Sequence, residues 1–504
     1  MQWKHGYFAD SGYTFGVYPE TMPWRLRWAA MLQGQVTPAE GFRYLDAGCG
    51  QGLNLIMAAL SHPDSEFVGI DFLPDHIAHA RALARSCGLS NVRFIEQDFV
   101  TLAAEPHRLG EFDYVVAHGI STWVAPQVKE ALTHLISQVL LPGGLCYNSY
   151  NTYPGWLGLG PFQHLVLLEQ RYQTGAAALQ RARQIMGHLQ THAPGLAQQL
   201  PQMTNRLKVM DQADPAYLVQ EYNNQHWQPV YVSQMIDSMA AVKLSYLGTA
   251  TLPDAFEAAL SSPLRELLAA QSAPSLREQL RDYALVQSFR RDLYVKGRTP
   301  SWPLALLDTI GTQRFRANPL MPLPAEGEPF VVTGGAIELK GAAERYLPVY
   351  QCIHSAGANG IEVARMMPDG ASSDLSAIVQ ILSLLLHGGW LLPVVDARAK
   401  AADGNRALAG AVCQGAPYRY LAVPGAASAI AMTDTDWLLY DLETRDVPKA
   451  QWPDQLKTRL AALNKQLARD GKPLTEPKAV HQRIQELIDA YALKHQLLVE
   501  LGGA

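Results

Sequence analysis

Three acidic residues, each at the end of a short apolar run, carry the first hint of chemistry. They are Asp46 in "YLDAGCGQG", Asp71 in "FVGIDF" and Asp98 in "FIEQDF". Glycines follow Asp46 at alternate positions, Gly48, Gly50 and Gly52. Such glycines let the backbone approach a ligand closely, and a helix starting near Leu53 favours an anion at its N-terminus. A dinucleotide loop reads G-x-G-x-x-G and a triphosphate loop G-x-x-x-x-G-K-[ST]. The spacing here is G-x-G-x-G, with no Lys-Ser/Thr behind it. The Asp46 carboxylate would repel a phosphate and suits an ammonium group. A ligand with an amino and a carboxylate end fits both features.

Asp71 lies about 20 residues past the loop, where an acid accepts hydrogen bonds from a ribose diol. Asp98 can accept from an adenine amino group, and Phe99 can pack on the ring. Amino acid, ribose and adenine together describe S-adenosylmethionine (SAM). Each feature alone has an ordinary reading, as a tight turn or a helix N-cap. Their succession in this order points to the ligand.

These positions need a parallel sheet to bring them together. "FRYLDAG", "EFVGIDF", "NVRFIEQDF", "FDYVVAHG" and "LCYNSYN" read as strands, and "LNLIMAALSHP", "PDHIAHARALARSCGL" and "PQVKEALTHLISQVLLPGG" as helices between them. This alternation predicts a doubly wound sheet. Residues 157–225 read as a helical insertion at the carboxyl edge of the fifth strand, where ligands bind. "QPVYVSQMIDSMAAVKLSYLGTA" reads as turn, helix and strand, a closing unit of the same sheet. Residues 255–300 read as helical, and 301–340, rich in Pro and Gly, as a connector. From 341, short helices followed by a Gly–Gly turn and a strand resemble a winged-helix unit, and 474–501 reads as one long helix.

The 504 residues carry a net charge of −5, with 48% hydrophobic and 17% charged residues. That describes a soluble protein with sizeable cores and argues against a nucleic-acid-binding surface. The five cysteines, Cys49, Cys87, Cys146, Cys352 and Cys413, are scattered and form no metal-spaced pair. Reduced thiols, no metal and a cytoplasmic location are expected. The N-terminus has no signal pattern, and the longest apolar runs are too short and broken to span a bilayer.

The chain resembles class I SAM-dependent methyltransferases, and more narrowly bacterial ones with a methyltransferase regulatory domain. The rickettsial outer-membrane-protein lysine methyltransferases belong to that group. The matching runs are "YPETMPWRL", "LDAGCGQGLNL", "FVGIDF", "FDYVVAHGISTWV", "LPGGLCYNSYNTYPGW", "YLVQEYNNQHWQPVYV" and "LSYLGTA". The resemblance is strong over residues 15–300 and weaker beyond. It implies a Rossmann-like methyltransferase domain over 1–255, a helical linker region over 256–340 and a winged-helix-like α+β domain over 341–504. The family's regulatory domain would fall at about 217–300. Two departures stand out. A His-Glu-Tyr run common in the family reads Gln220-Glu221-Tyr222, and Met22 stands where His is frequent.

The expected cofactor set is Tyr18, Arg25, Asp46, Ala47, Gly48, Cys49, Gly50, Asn54, Asp71, Phe72, Asp98, Phe99, Ala117 and His118, with Tyr13 as a further cap. Arg25 would pair with the cofactor carboxylate, or else be a surface arginine. The expected catalytic set is His118, Asn151, Tyr153, Glu221 and Tyr222. His118 has the ordinary pKa of a base, or else orients its loop. Trp123 is a core residue or a channel wall. In "NSYNTYPGW", amides and phenols can accept from an amine and aromatic faces attract methylammonium. The plainer reading is a strand end with a Pro-Gly turn. Glu221 and Tyr222 would close over the pocket, unless Glu221 is a solvated helix-end residue.

The resemblance implies methyl transfer to a protein, with lysine amines as acceptors and a surface or outer-membrane protein among the candidate substrates. A small-molecule N- or O-methyltransferase would share every SAM residue. A SAM-dependent DNA-binding regulator is disfavoured, because "SSDLSAIVQILSLLL" carries no Lys or Arg for phosphate contacts.

Overall fold

The computed structural model describes residues 6–9, 13–210, 213–257, 260–298, 301–335, 337–366, 375–396, 401–469 and 471–504. The five apolar runs form strands β1 (Arg43–Ala47), β2 (Glu66–Asp71), β3 (Val92–Glu96), β4 (Phe112–Ala117) and β5 (Leu140–Asn151). Two later strands, β6 (Leu244–Thr249) and β7 (Phe289–Lys296), complete a seven-stranded sheet of order β3-β2-β1-β4-β5-β7-β6. The neighbours from β3 to β5 are parallel, and β7 runs antiparallel to both β5 and β6. The order reverses between β1 and β4, and such a switch point opens a crevice at the carboxyl ends of the strands.

Alternation along each strand feeds two cores. On β1, Tyr44 enters one apolar cluster and Leu45 the other. Helices α1 (Pro23–Met31), α2 (Leu53–Ser61) and α3 (Pro74–Ser86) cover the first face. The helices Phe99–Ala104, Pro126–Val139 and Val232–Ala241 cover the second. Every residue of α2 is buried, because a second layer packs on its outer side, the hairpin Tyr420–Val423 and Ser428–Ala431. The insertion is built of successive helices, the first Gly160–Glu169 and the last Pro215–Tyr222, and has its own core of Trp156, Phe162, Met186, Met203 and Tyr222.

Two expectations are corrected. Residues 255–300 are not helical throughout: after the helices Ser262–Ala269 and Pro274–Leu285 comes β7, wedged between β5 and β6. Its charges hid it. Arg290 is buried on β7 and donates to Asp282 at 2.5 Å, Glu278 at 2.8 Å and Asp292 at 2.9 Å, so polar residues occupy core positions as a paired network. The sheet therefore continues past residue 255. Residues 301–340 are likewise more than a connector. They hold the helix Pro303–Gly311, the strand Arg314–Ala317 and most of the hairpin Phe330–Gly334 and Ile337–Gly341. Arg314–Ala317 is the central strand of a three-stranded sheet with Ile361–Glu362 and Leu391–Val394.

"LSAIVQILSLLLHGGWLLPV" forms the helix Leu375–His387, a Gly–Gly turn and the strand Leu391–Val394, and the tail is the helix Pro477–Glu500. The C-terminal part is fused to the sheet's first face. Trp28 donates to Ser383 Oγ at 3.0 Å, Ser61 to the Ser428 carbonyl at 3.0 Å, and Tyr418 OH meets His79 Nε2 at 2.8 Å. Among the described residues, no helix is long and apolar enough to cross a membrane.

Candidate active site

The glycine loop leaves β1 and turns into α2 across the switch point. The N–H groups of Gly48 and Cys49 both donate to the Ile70 carbonyl, at 2.8 and 2.9 Å, which ties the loop to β2. Gly48, Gly50 and Gly52 all have positive φ, at 92°, 53° and 81°. At Gly52 a Cβ would meet the Ala80 Cβ at 2.6 Å, so glycine is required twice over, by conformation and by the approach of α3. Asp71 braces the loop from below. Its Oδ2 accepts from Gly50 N at 3.0 Å and its Oδ1 from Leu73 N at 2.9 Å. A carboxylate has about four acceptor sites, so a ligand diol can still be bound beside these two N–H groups.

One half of the cleft lies over the loop and is lined by Tyr13, Tyr18, Asp46, Gly48, Cys49, Gly50, Asn54 and His118. Asn54 Oδ1 accepts from Tyr18 N at 3.0 Å and its Nδ2 donates to Thr21 Oγ1 at 3.0 Å, which fixes the N-terminal segment across the loop. Gln51 donates to the Tyr13 carbonyl at 2.8 Å and holds the same segment further along. Asp46 is buried here. Its carboxyl is pushed up to about 7, first by burial and then by the Asp71 charge. A cation in this half of the cleft would restore its charge.

The other half shares Gly48 and continues along the ends of β2, β3 and β4, lined by Tyr7, Asp71, Phe72, Gln97, Asp98, Phe99, Ile120 and Val128. Its walls are mostly apolar and aromatic, with carboxylates at two points, the surroundings a base and a sugar require. Asp98 is also the N-cap of the helix Phe99–Ala104, accepting from Thr101 N at 2.9 Å and Thr101 Oγ1 at 2.7 Å. Ala117 is fully buried in the second core, so only its backbone can face the cleft. The chemistry of the donors fits SAM: a buried acid at the amino-acid end, acids at the sugar and base end, and a close backbone between.

His118 lies where β4 ends. Its ring lies 3.9 Å from that of Tyr18, and its Nδ1 is 2.9 Å from Tyr147 OH and 3.0 Å from Ser149 Oγ. Ser149 Oγ in turn accepts from Gly119 N at 2.9 Å. Burial, reinforced by Arg291, lowers the imidazole to about 3. The ring is therefore neutral at physiological pH and a weak base, which favours its orienting role.

Asn151 and Glu221 are brought together although 70 residues apart. Asn151 Nδ2 donates to Glu221 Oε1 at 2.7 Å, as do Trp227 Nε1 at 3.0 Å and Trp123 Nε1 at 3.4 Å, and Tyr217 OH donates to Oε2 at 3.1 Å. Glu221 is buried, not solvated, and burial raises its carboxyl. Tyr153 is half-buried, 5.0 Å from the Tyr231 ring and against the insertion core.

Two expected site residues lie elsewhere. Tyr222 is fully buried in the insertion core, beside Trp156 and Phe162, because one helical step turns it about 100° from Glu221. Arg25 neither lines the SAM cleft nor lies on the surface. It is buried against the C-terminal part, with Nη2 3.0 Å from His387 Nδ1. Sequence reading missed Tyr147, Ser149 and Arg291, which share one face of the sheet. Ser149 pairs directly with Arg291 across β5 and β7, and residues two apart share a face. The alternation in "CYNSYN" carried that signal for Tyr147 and Ser149. For Arg291 it was lost with β7.

Comparison with known proteins identifies the domains. Residues 38–213 match a methyltransferase domain and residues 214–296 a predicted methyltransferase regulatory domain. The uncharacterized protein sll1526 of Synechocystis sp. is 29% identical over 493 residues, 94% of each chain. The fold resembles that of PKMT2 from Rickettsia typhi, with a TM-score of 0.71 at 19% identity over 97% of this chain and 100% of that one. The same protein in complex with AdoHcy aligns with a TM-score of 0.67 at 20% identity, over 98% of this chain and 100% of that one. A glycine loop facing a buried acid, the acids on the next two strands and these matches have one reading: the chain is a class I SAM-dependent methyltransferase with a methyltransferase regulatory domain.

Proposed function

We propose that this enzyme methylates a protein, with lysine side-chain amines as the acceptors. The observation that carries the reading is the extent of the likeness to PKMT2, a protein lysine methyltransferase, which runs through the insertion and the C-terminal part as well as the sheet. The methyltransferase unit then runs through Lys296, since β7 belongs to its sheet.

SAM supplies a methyl group already activated on a sulfonium, so the chain's own work is to hold the two reactants in line. Asp46 would hold the ammonium of the cofactor, and the glycine loop would let the backbone pass close to its amino-acid end. Asp71 would take the ribose hydroxyls, and Asp98, Phe99 and Phe72 would enclose the base. Tyr18 and His118 lie against each other and form one wall of the cleft over the loop. Tyr147 OH and Ser149 Oγ both hydrogen-bond the His118 ring at Nδ1, which fixes its orientation. The amine must arrive neutral, and a buried imidazole near 3 is no base for it. Its proton leaves before transfer, to a group other than His118. Glu221 locks the Asn151 amide by its N–H end and leaves the carbonyl end to receive an amine N–H.

Incubation with methyl-labelled SAM and cell lysate, followed by hydrolysis of the labelled protein, tests the proposal. N-methyl-lysine is the expected product. Label confined to small molecules would sink the reading and favour a small-molecule methyltransferase.

A further inference from the structure

A second cavity lies outside the SAM cleft, between the start of α1 and the C-terminal part. Its polar groups are Arg25, Glu20 and His387, and its apolar wall includes Leu386, Leu392 and Ile430. Arg25 is 9% exposed, and its guanidinium has a single hydrogen bond among the described residues, to the neutral His387 ring. Its Nε is fully buried with no partner. A buried guanidinium offers five N–H donors, and leaving them unbonded costs free energy. Glu20 does not satisfy them. Its nearest ion-pair partner is Arg291 Nε, 3.7 Å away on the side of the sheet. Two guanidiniums thus share one carboxylate, and His387, lowered to about 4 by burial and Arg25, adds no charge at neutral pH. The cavity thus sets an under-bonded guanidinium against an aliphatic wall, with its one carboxylate drawn toward Arg291.

We propose that this cavity is a second ligand site, for a small carboxylate on an aliphatic stem, with Arg25 as its anchor. The carboxylate accepts from the Arg25 Nη N–H groups that His387 leaves free, while the stem lies on Leu386, Leu392 and Ile430. Glu20 then remains with Arg291, on the strand that also faces His118 through Ser149. The site is separate from the cofactor cleft, and the inference holds whatever accepts the methyl group.

Calorimetric titration of the full chain with butanoate, hexanoate and inorganic phosphate tests this, with the SAM site saturated by S-adenosylhomocysteine. Saturable binding of the carboxylates, tighter for hexanoate and absent for phosphate, is expected. Arg25→Met should weaken it by about tenfold to a hundredfold, the worth of charge-assisted hydrogen bonds. Leu392→Trp, which fills the cavity and keeps Arg25, should abolish it, and it decides the matter if Arg25→Met fails to fold. No saturable binding, or binding unchanged in Leu392→Trp, overturns the proposal. Phosphate binding as tightly as hexanoate also overturns it.

Discussion

Asp46 shows how one buried side chain sets the conditions for a whole site. Its carboxyl titrates at about 7 in the free chain, against an ordinary 3.8, because it is buried beside Asp71. A raised carboxyl binds its proton in the folded state first, so the free chain loses stability as pH rises from about 4 to about 7. An ammonium ligand wants the ionised form. Below about pH 7 it must displace a proton, so affinity for S-adenosylhomocysteine should fall about tenfold per pH unit there and level off above. Calorimetry across that range checks the slope, and Asp46→Asn should remove it while lowering affinity at every pH. His118 makes the opposite prediction. With its imidazole near 3, it carries no titration that activity near neutrality can report. His118→Gln should lower kcat about tenfold through lost positioning and leave the shape of the pH–rate profile intact. Loss of an acid limb in that variant would make His118 the base after all. Neither value was legible in the sequence, because both depend on neighbours from other strands. Arg25 is the same lesson reversed: its partner His387 lies 362 residues away, and no local pattern could have moved it out of the SAM cleft.

At the scale of elements, the glycine loop was legible because its constraint is local. Gly52 caps α2 in the left-handed region at φ 81°, and α3 and Phe94 fill the space a side chain would need. Gly52→Ala should cost about 2–3 kcal/mol from backbone strain and overpacking together, seen as a lower denaturation midpoint and weaker cofactor binding. A neutral substitution would mean that the loop is looser than its packing implies. The helices of the insertion and the first five strands were also readable, since their apolar periods are plain. β7 was not. Its residues alternate as strands do, but the face carrying Arg290 and Asp292 is charged, and the acids that pair with Arg290 include two from the preceding helix. A buried ionic network gives a sequence the look of a surface. The helix ending at Tyr222 misled in a finer way. Its neighbours Glu221 and Tyr222 were placed in one pocket, although the helical turn sends one to Asn151 and the other to the insertion core.

The whole molecule is held as one body by the face that α1, α2 and α3 present to the C-terminal part. A single apolar cluster runs from Tyr44 and Tyr147 in the sheet through Trp28 and Phe315 to Leu385 and Trp437. Trp28 is its hinge. It is fully buried, stacks on Trp24 with ring centres 5.8 Å apart, meets Phe315 edge-on at 5.2 Å, and donates to Ser383. Because the cluster has no break between the two parts, neither can shed the other without exposing apolar surface, and both should unfold together. Trp28→Ala should remove about 3–5 kcal/mol by opening a cavity at the junction and removing the hydrogen bond to Ser383. Circular dichroism follows the helices of the whole chain. S-adenosylhomocysteine binding follows the sheet, whose switch point forms the site. In the variant both should shift to lower denaturant by the same amount. If binding survives after much of the helical signal is lost, the C-terminal part is an independently folding attachment, and the continuity of the core does not make it a structural partner of the active site.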